Sequence, residues 1–364
     1  MNLENGEISN SQLMLLVLGF LQGMILTVNF TYSVSRQDTW LVVIAGFAIA
    51  ILFTLLYLTI ANKFPGKNLI QIDDIVFGPY LGKFISANYI WFFFQLIIHY
   101  MYFFNSFWIT YIMPETPRAA FLIMLAFVCA MAIRKGLEVI GRISFLFTII
   151  VTVTVLAVTI LLLKDMKFNN LLPVFGTKLI DLVHSTHIML TICFCDILVF
   201  LMIFPYASDK RRINKPVLMG LCLSTIQLLI VAVRDISVFG PRLGTLTSAS
   251  FAVTRVIDIA NILTRLDILL AITLLITIFL KVTVFYYVTV LSLAQLLKLR
   301  SYIPLVIPIG AISAAIAARL YESDMEQVYA GMNVWPFNAS IYEFVLPIIT
   351  LIVIWVRKLP KKKE

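Results

Sequence analysis

At 364 residues, 61% of them hydrophobic and only 13% charged, with a mean hydropathy of +0.99, the chain is far more apolar than a soluble domain, in which roughly 25% of residues are charged. The apolar residues fall in long blocks, which excludes a large soluble core and indicates an all-α polytopic membrane protein embedded in a lipid bilayer. A formal net charge of +9 would suit a nucleic-acid binder, but the basic residues sit mostly in loops between blocks, so topology explains them and no nucleic-acid partner is expected.

With the ~20-residue window a bilayer requires, ten spans are predicted: 10–34, 40–61, 86–113, 119–134, 143–163, 184–206, 215–237, 267–297, 301–320 and 340–357. The acidic start Met-Asn-Leu-Glu-Asn-Gly-Glu lacks the basic region of a signal peptide, so the first block is expected to be retained. Span one contains Gly19-Phe20-Leu21-Gln22-Gly23. That spacing permits close helix packing, which is the favoured reading from spacing alone. The alternative is a broken helix whose exposed backbone binds a ligand, and the mid-span Gln22 favours it. Asn29, Thr27 and Thr31 follow in the second half of the same span.

A Pro- and Gly-punctuated cytoplasmic loop, with Phe64-Pro65-Gly66-Lys67 and Gly78-Pro79-Tyr80-Leu81-Gly82 and room for a short surface helix, separates spans two and three. Span three carries His99, Tyr100, Tyr102 and Asn105, which either line a cavity or bond a neighbouring helix. The four cysteines, Cys129, Cys193, Cys195 and Cys222, all lie inside apolar blocks, which argues against disulfides. Three histidines without clustered carboxylates make no metal site, and no cofactor is expected.

Span six holds a carboxylate, Asp196, near its middle. A charge at that depth costs about 2.5–3.5 kcal/mol, so it usually marks a substrate or ion pathway; the alternative is an acid satisfied by a neighbouring helix or kept protonated. Span eight holds the second informative charge, Lys281, ~21 Å along the helix from Asp267. It either neutralises, pairs with an acid, fills a cation position, or snorkels to the cytoplasmic interface. Thr277, Thr283 and Tyr287 are expected around it.

Placing both termini in the cytoplasm puts 17 basic residues inside and 10 outside, with Lys281 in a span, accounting for all 28. The inside excess, anchored by Lys210-Arg211-Arg212 and the Lys-rich tail, supports that orientation.

Seven stretches then point to a family. They are Asp38-Thr39-Trp40, Phe64-Pro65-Gly66-Lys67, Met113-Pro114-Glu115-Thr116-Pro117, the run Gly-Leu-Glu-Val-Ile-Gly-Arg at 136–142, Leu172-Pro173, Phe204-Pro205 and Arg265-Leu266-Asp267. Together and in this order they resemble the spore germination permease family, the B subunits of nutrient germinant receptors (GerAB type), within the amino acid–polyamine–organocation superfamily. The resemblance covers nearly the whole chain. It implies a leucine-transporter-type fold of two inverted five-helix repeats, here 8–163 and 180–357 within one transmembrane domain. The first helix of each repeat would be broken, at Gly19 to Gly23 and near Cys193 to Asp196. Family members often show a glycine followed by a glutamate at the second break; Cys195 and Asp196 stand there instead, so the glycine that eases unwinding is missing.

In related transporters a sodium ion sits between helices one and eight, and the resemblance implies that the Lys281 ammonium substitutes for it. Carried over by position, the ligand contacts would be Gly19, Gln22, Gly23, Tyr100, Asp196, Thr283 and Tyr287, with Lys281 and Asp196 as the coupling pair. The implied function is a sensor in the spore inner membrane that binds a small germinant of amino-acid class and signals through A- and C-type receptor subunits. The alternatives are a proton-coupled amino acid transporter and a passive ion or water conduit. No Walker loop, nucleophile motif or paired catalytic acids appear, so an enzyme is not expected.

Overall fold

The computed structural model describes residues 3–4, 6–246, 248–254 and 267–360, with only the backbone described at Met24, Leu26 and Asp267. Arg255, Arg265, Leu266 and the tail lysines Lys361, Lys362 and Lys363 lie outside these residues.

Span one is three helices, α1 (Asn10–Gln22), α2 (Met24–Thr27) and α3 (Asn29–Ser35), interrupted at Gly23 and Val28. Its start is fixed by a capping box: the Ser9 hydroxyl accepts from Gln12 N at 3.2 Å and Ser9 N donates to Gln12 Oε1 at 2.8 Å. Then come α4 (Thr39–Lys63), the short α5 (Leu69–Phe77), α6 (Leu81–Tyr111), α7 (Arg118–Arg134) and α8 (Leu137–Leu161). Helix α5 is a short helix within the loop between spans two and three, as the sequence allows, and it too opens with a capping box, between Asn68 and Gln71.

Span six starts as α9 (Leu179–Met189), widens to a π-helical turn over Leu190–Phe194 and tightens to 3-10 geometry over Cys195–Met202. The break forms without a glycine because every residue through it stays right-handed: Phe194 has φ −93° and Cys195 φ −81°. The chain continues through α10 (Asn214–Phe239), α11 (Ala249–Thr254), α12 (Asp267–Leu296), α13 (Ile303–Ala317), α14 (Asp324–Asn333), α15 (Trp335–Ser340), a π-helical turn at Ile341–Val345 and α16 (Leu346–Val356).

Seven helices among the described residues have the length and apolarity of a span, and Asn10–Gln22 and Ile303–Ala317 are shorter apolar ones. The expected spans that fall short do so for identifiable reasons: span one is broken, α7 has 17 residues, and α13 has 15 with Pro308 inside it. Arg234, counted above as a loop charge, instead sits within α10, 1% exposed and paired with Asp235, so it carries no topological information.

The core is centred on span six, whose residues from Ile188 to Ala207 are buried throughout. The first and last described segments, at Glu4, Ile8 and Arg357, lie at one face, hereafter the terminal face. There Ile8 pairs in parallel with the end of span six (Ile8 N to Tyr206 O and Ser208 N to Ile8 O, each 2.9 Å). Glu4 accepts from Tyr302 OH at 2.9 Å and Tyr287 OH at 3.1 Å, and Arg357 binds the Val76 carbonyl. At the opposite face, Asp38 accepts from the backbone N–H groups of Phe175 (2.9 Å) and Thr177 (2.8 Å), tying span one to the connection before α9.

Candidate binding site at the broken helices

The two charges singled out in the sequence meet. Lys281 Nζ lies 2.8 Å from Asp196 Oδ2, and both side chains are fully buried. The Tyr100 hydroxyl donates to the same oxygen at 2.9 Å and approaches the Ile192 carbonyl at 3.1 Å, which Lys281 Nζ also reaches at 3.5 Å. Ile192 is on the π-helical turn, where a widened backbone frees carbonyls from the regular ladder. The break in span six therefore supplies an acceptor, and helices α6 and α12 supply the donors. Lys281 also lies over the Tyr100 ring, 4.4 Å from its centroid, and 5.1 Å from that of Phe20.

Gly23 explains how the lysine fits. A Cβ at this position would stand 3.1 Å from Lys281 Cδ, so the break in span one leaves room for the lysine stem. Snorkelling is excluded: Lys281 runs into the bundle between spans one and six, not to an interface.

Of the other residues singled out, four lie elsewhere. Gly19 packs on α8, where a Cβ would collide with the Thr148 hydroxyl. Gln22 Nε2 donates to Gln227 Oε1 (2.8 Å) and Thr152 Oγ1 (2.9 Å), outward toward α10 and α8. Thr283 faces Cys129 on α7. Tyr287 belongs to the Glu4 cluster at the terminal face.

Sequence reading passed over a third central charge. Glu343, on the π-helical turn before α16, is fully buried and faces Asp196 and Lys281. The rule that drew attention to Asp196, an ionisable residue inside an apolar block, applies equally to it.

On the terminal side of the ion pair the bundle is closed by Phe20, Phe200 and Phe285, with ring centroids 5.1–5.3 Å apart at the two contacts Phe20 makes. On the other side a cavity of ≈ 50 Å³ rests on Tyr100 and Ile192 and is walled by Thr27, Phe30, His99 and Trp335. That volume exceeds the roughly 10–15 Å³ that a single water needs. A larger cavity of ≈ 260 Å³, sharing Phe30, Phe103 and Gln327 with the first, continues toward the opposite face beside α14. Among the described residues no group of three or more His, Cys, Asp or Glu is arranged to hold a metal ion.

The fold has counterparts among solved transporters. A Na+-coupled sialic acid symporter in its substrate-bound, outward-open state superposes with a TM-score of 0.67 at 10% identity, over 96% of this chain and 80% of that one. A nucleobase-cation-symport-1 family transporter, closed with bromovinylhydantoin bound, gives 0.61 at 12% identity, over 96% and 82%. The fold is thus that of the leucine-transporter-type, multi-pass membrane proteins.

Within that class, the chain belongs to the spore germination protein family, whose sequence profile matches residues 7–324. It is 25% identical to spore germination protein KB of Bacillus subtilis (strain 168) over 100% of this chain and 98% of that protein. It is also 26% identical to the putative spore germination protein YfkT of the same organism, over 64% of each.

Proposed function

We propose that this protein is the integral-membrane subunit of a spore nutrient germinant receptor, binding a small germinant of amino-acid class beside Tyr100, Asp196, Gly23 and Lys281. The observation that carries this reading is the small cavity whose floor, Tyr100 and the Ile192 carbonyl, holds the buried ion pair in place. The ammonium and the carboxylate lie directly beneath that floor, so a zwitterion seated on it acts on the ion pair through Tyr100 and the Ile192 carbonyl. Lys281 stands where a coupling cation would lie between spans one and eight, so binding needs no sodium. Ligand binding favours one of two packings of the broken helices, and A- and C-type receptor subunits read the shift. The protein resides in the spore inner membrane with its termini in the cytoplasm, so the cavity opens outward. Its two repeats run over 8–163 and 180–357.

The test is purified protein in liposomes, challenged with labelled amino acids with and without a proton gradient. Saturable binding without gradient-driven accumulation is expected. Accumulation that collapses with the gradient would instead make the protein a proton-coupled transporter.

A further inference from the structure

Glu343 is fully buried, yet among the described residues no donor reaches either of its carboxyl oxygens, and Asp196 Oδ1 is equally unserved. The groups facing Glu343 are Asp196, Cys195 and Cys193 from span six, Lys281 from α12, Tyr57 from α4 and Tyr100 from α6. Their donors are engaged elsewhere. Tyr57 OH donates to the Glu343 backbone carbonyl at 2.6 Å, not to its carboxyl. Tyr100 and Lys281 are both directed at Asp196 Oδ2 and the Ile192 carbonyl. Cys193 contacts Thr27 Oγ1 at 3.4 Å, and Cys195 bonds Tyr57.

Among the described residues, the group left facing the Glu343 carboxyl is the carboxyl of Asp196, whose Oδ1 has no donor. Two carboxylates facing each other in a buried site are one acceptor against another, and one ammonium balances only one of them. We propose that Glu343 is a proton-binding site: its carboxyl holds one proton and donates it to Asp196 Oδ1. The centre is then neutral, with one ammonium, one carboxylate and one carboxylic acid. A metal ion in the same place would need a cage of roughly six oxygens, whereas a proton needs only the two that face each other.

The proton has a mechanical consequence. Loss of it from Glu343 to water breaks one O–H bond and leaves two carboxylates competing for Lys281. The ammonium is drawn off Asp196 Oδ2 and the Ile192 carbonyl, which is part of the break in span six. Proton occupancy at Glu343 is therefore linked to the shape of span six. This follows from the central geometry alone and does not depend on the germinant reading.

The test is infrared spectroscopy of the full-length protein in nanodiscs at neutral pH, wild type minus Glu343→Gln. A difference band from the C=O stretch of a protonated carboxylic acid is expected, and a spectrum without it overturns the proposal. If the Gln variant does not accumulate, Glu343→Asp serves: the band should shift, and an unmoved band overturns the proposal. A second reading uses the wild-type melting midpoint in sodium, potassium or choline chloride at equal ionic strength. Equal midpoints support a proton, and a midpoint raised by one metal ion alone overturns it.

Discussion

Among the described residues two ion pairs are buried, and their surroundings differ. In the first, Arg234 and Asp235 are adjacent in the chain, and every oxygen of the acid is served. Arg234 Nε and Nη2 donate to Asp235 Oδ1 at 2.9 and 2.7 Å, while Tyr32 OH (3.1 Å) and Ser250 Oγ (2.5 Å) donate to Oδ2. In the second, Asp196 and Lys281 come from different spans. Two donors converge on one oxygen, leaving Asp196 Oδ1 and both oxygens of Glu343 without one. A saturated network holds one arrangement, whereas an unsaturated one has capacity for a ligand or a proton. The first pair fastens span one to α10 and α11. The second sits where span six breaks and where a cavity begins.

Mutations can sharpen this contrast. The largest effect is expected from Arg234→Ala, which strands a buried carboxylate together with its other donors. Loss of one partner of such a pair costs about 3–5 kcal/mol, read as reduced folded yield and a lower melting midpoint, with ligand binding unchanged in the folded fraction. Wild-type stability in this variant would remove the scaffold role of the pair. Lys281→Ala should cost less stability, because the acids it leaves are able to share protons, but should abolish the germination response. Lys281→Arg should retain part of it. Equal, wild-type behaviour of both lysine variants would break the distinction drawn here.

A smaller effect is expected away from both pairs. Burial pushes the Asp73 carboxyl on α5 above the ordinary carboxylate range, the Ser86 hydroxyl at 3.3 Å opposes this, and neighbouring Asp74 adds to it. The folded state thus holds a proton that the unfolded chain releases. The contribution of Asp73 is complete below the ordinary carboxyl value of about 4 and is lost as pH rises through the folded value. Asp73→Asn, which mimics the neutral acid, should raise the melting midpoint modestly at pH 7 and flatten its decline with pH. A lower midpoint at every pH would contradict this.

Much of the fold was legible in the sequence because the length and spacing of apolar blocks depend on the bilayer and not on packing detail. The helices expected at 40–61 and 215–237 were found as Thr39–Lys63 and Asn214–Phe239. Asp196 and Lys281 were legible for a related reason, since charges inside apolar blocks need a partner. Glu343 obeys the same rule, but it lies near the start of its block, where an acid reads as interfacial. Side-chain direction was less legible. On a helix of 3.6 residues per turn, positions 283 and 287 point roughly 200° and 240° away from 281. They face α7 and the terminal face, and Phe285, one turn on, occupies the place beside Tyr100, its ring 5.7 Å away. The break in span six lies near Cys193 to Asp196, where the resemblance implied it, and the missing glycine did not prevent it, because π and 3-10 turns are right-handed and need none.

The most direct test of the binding site is equilibrium binding of labelled amino acids to purified wild-type protein, Asp196→Asn and Tyr287→Phe. A hydrogen bond to a charged group contributes about 1.5–3 kcal/mol, which is roughly 10- to 150-fold in affinity. The Asp196→Asn variant should lose at least that much while keeping its expression level, and Tyr287→Phe should bind as wild type does. Equal affinity for wild type and Asp196→Asn would place the ligand away from the ion pair and contradict the site described here.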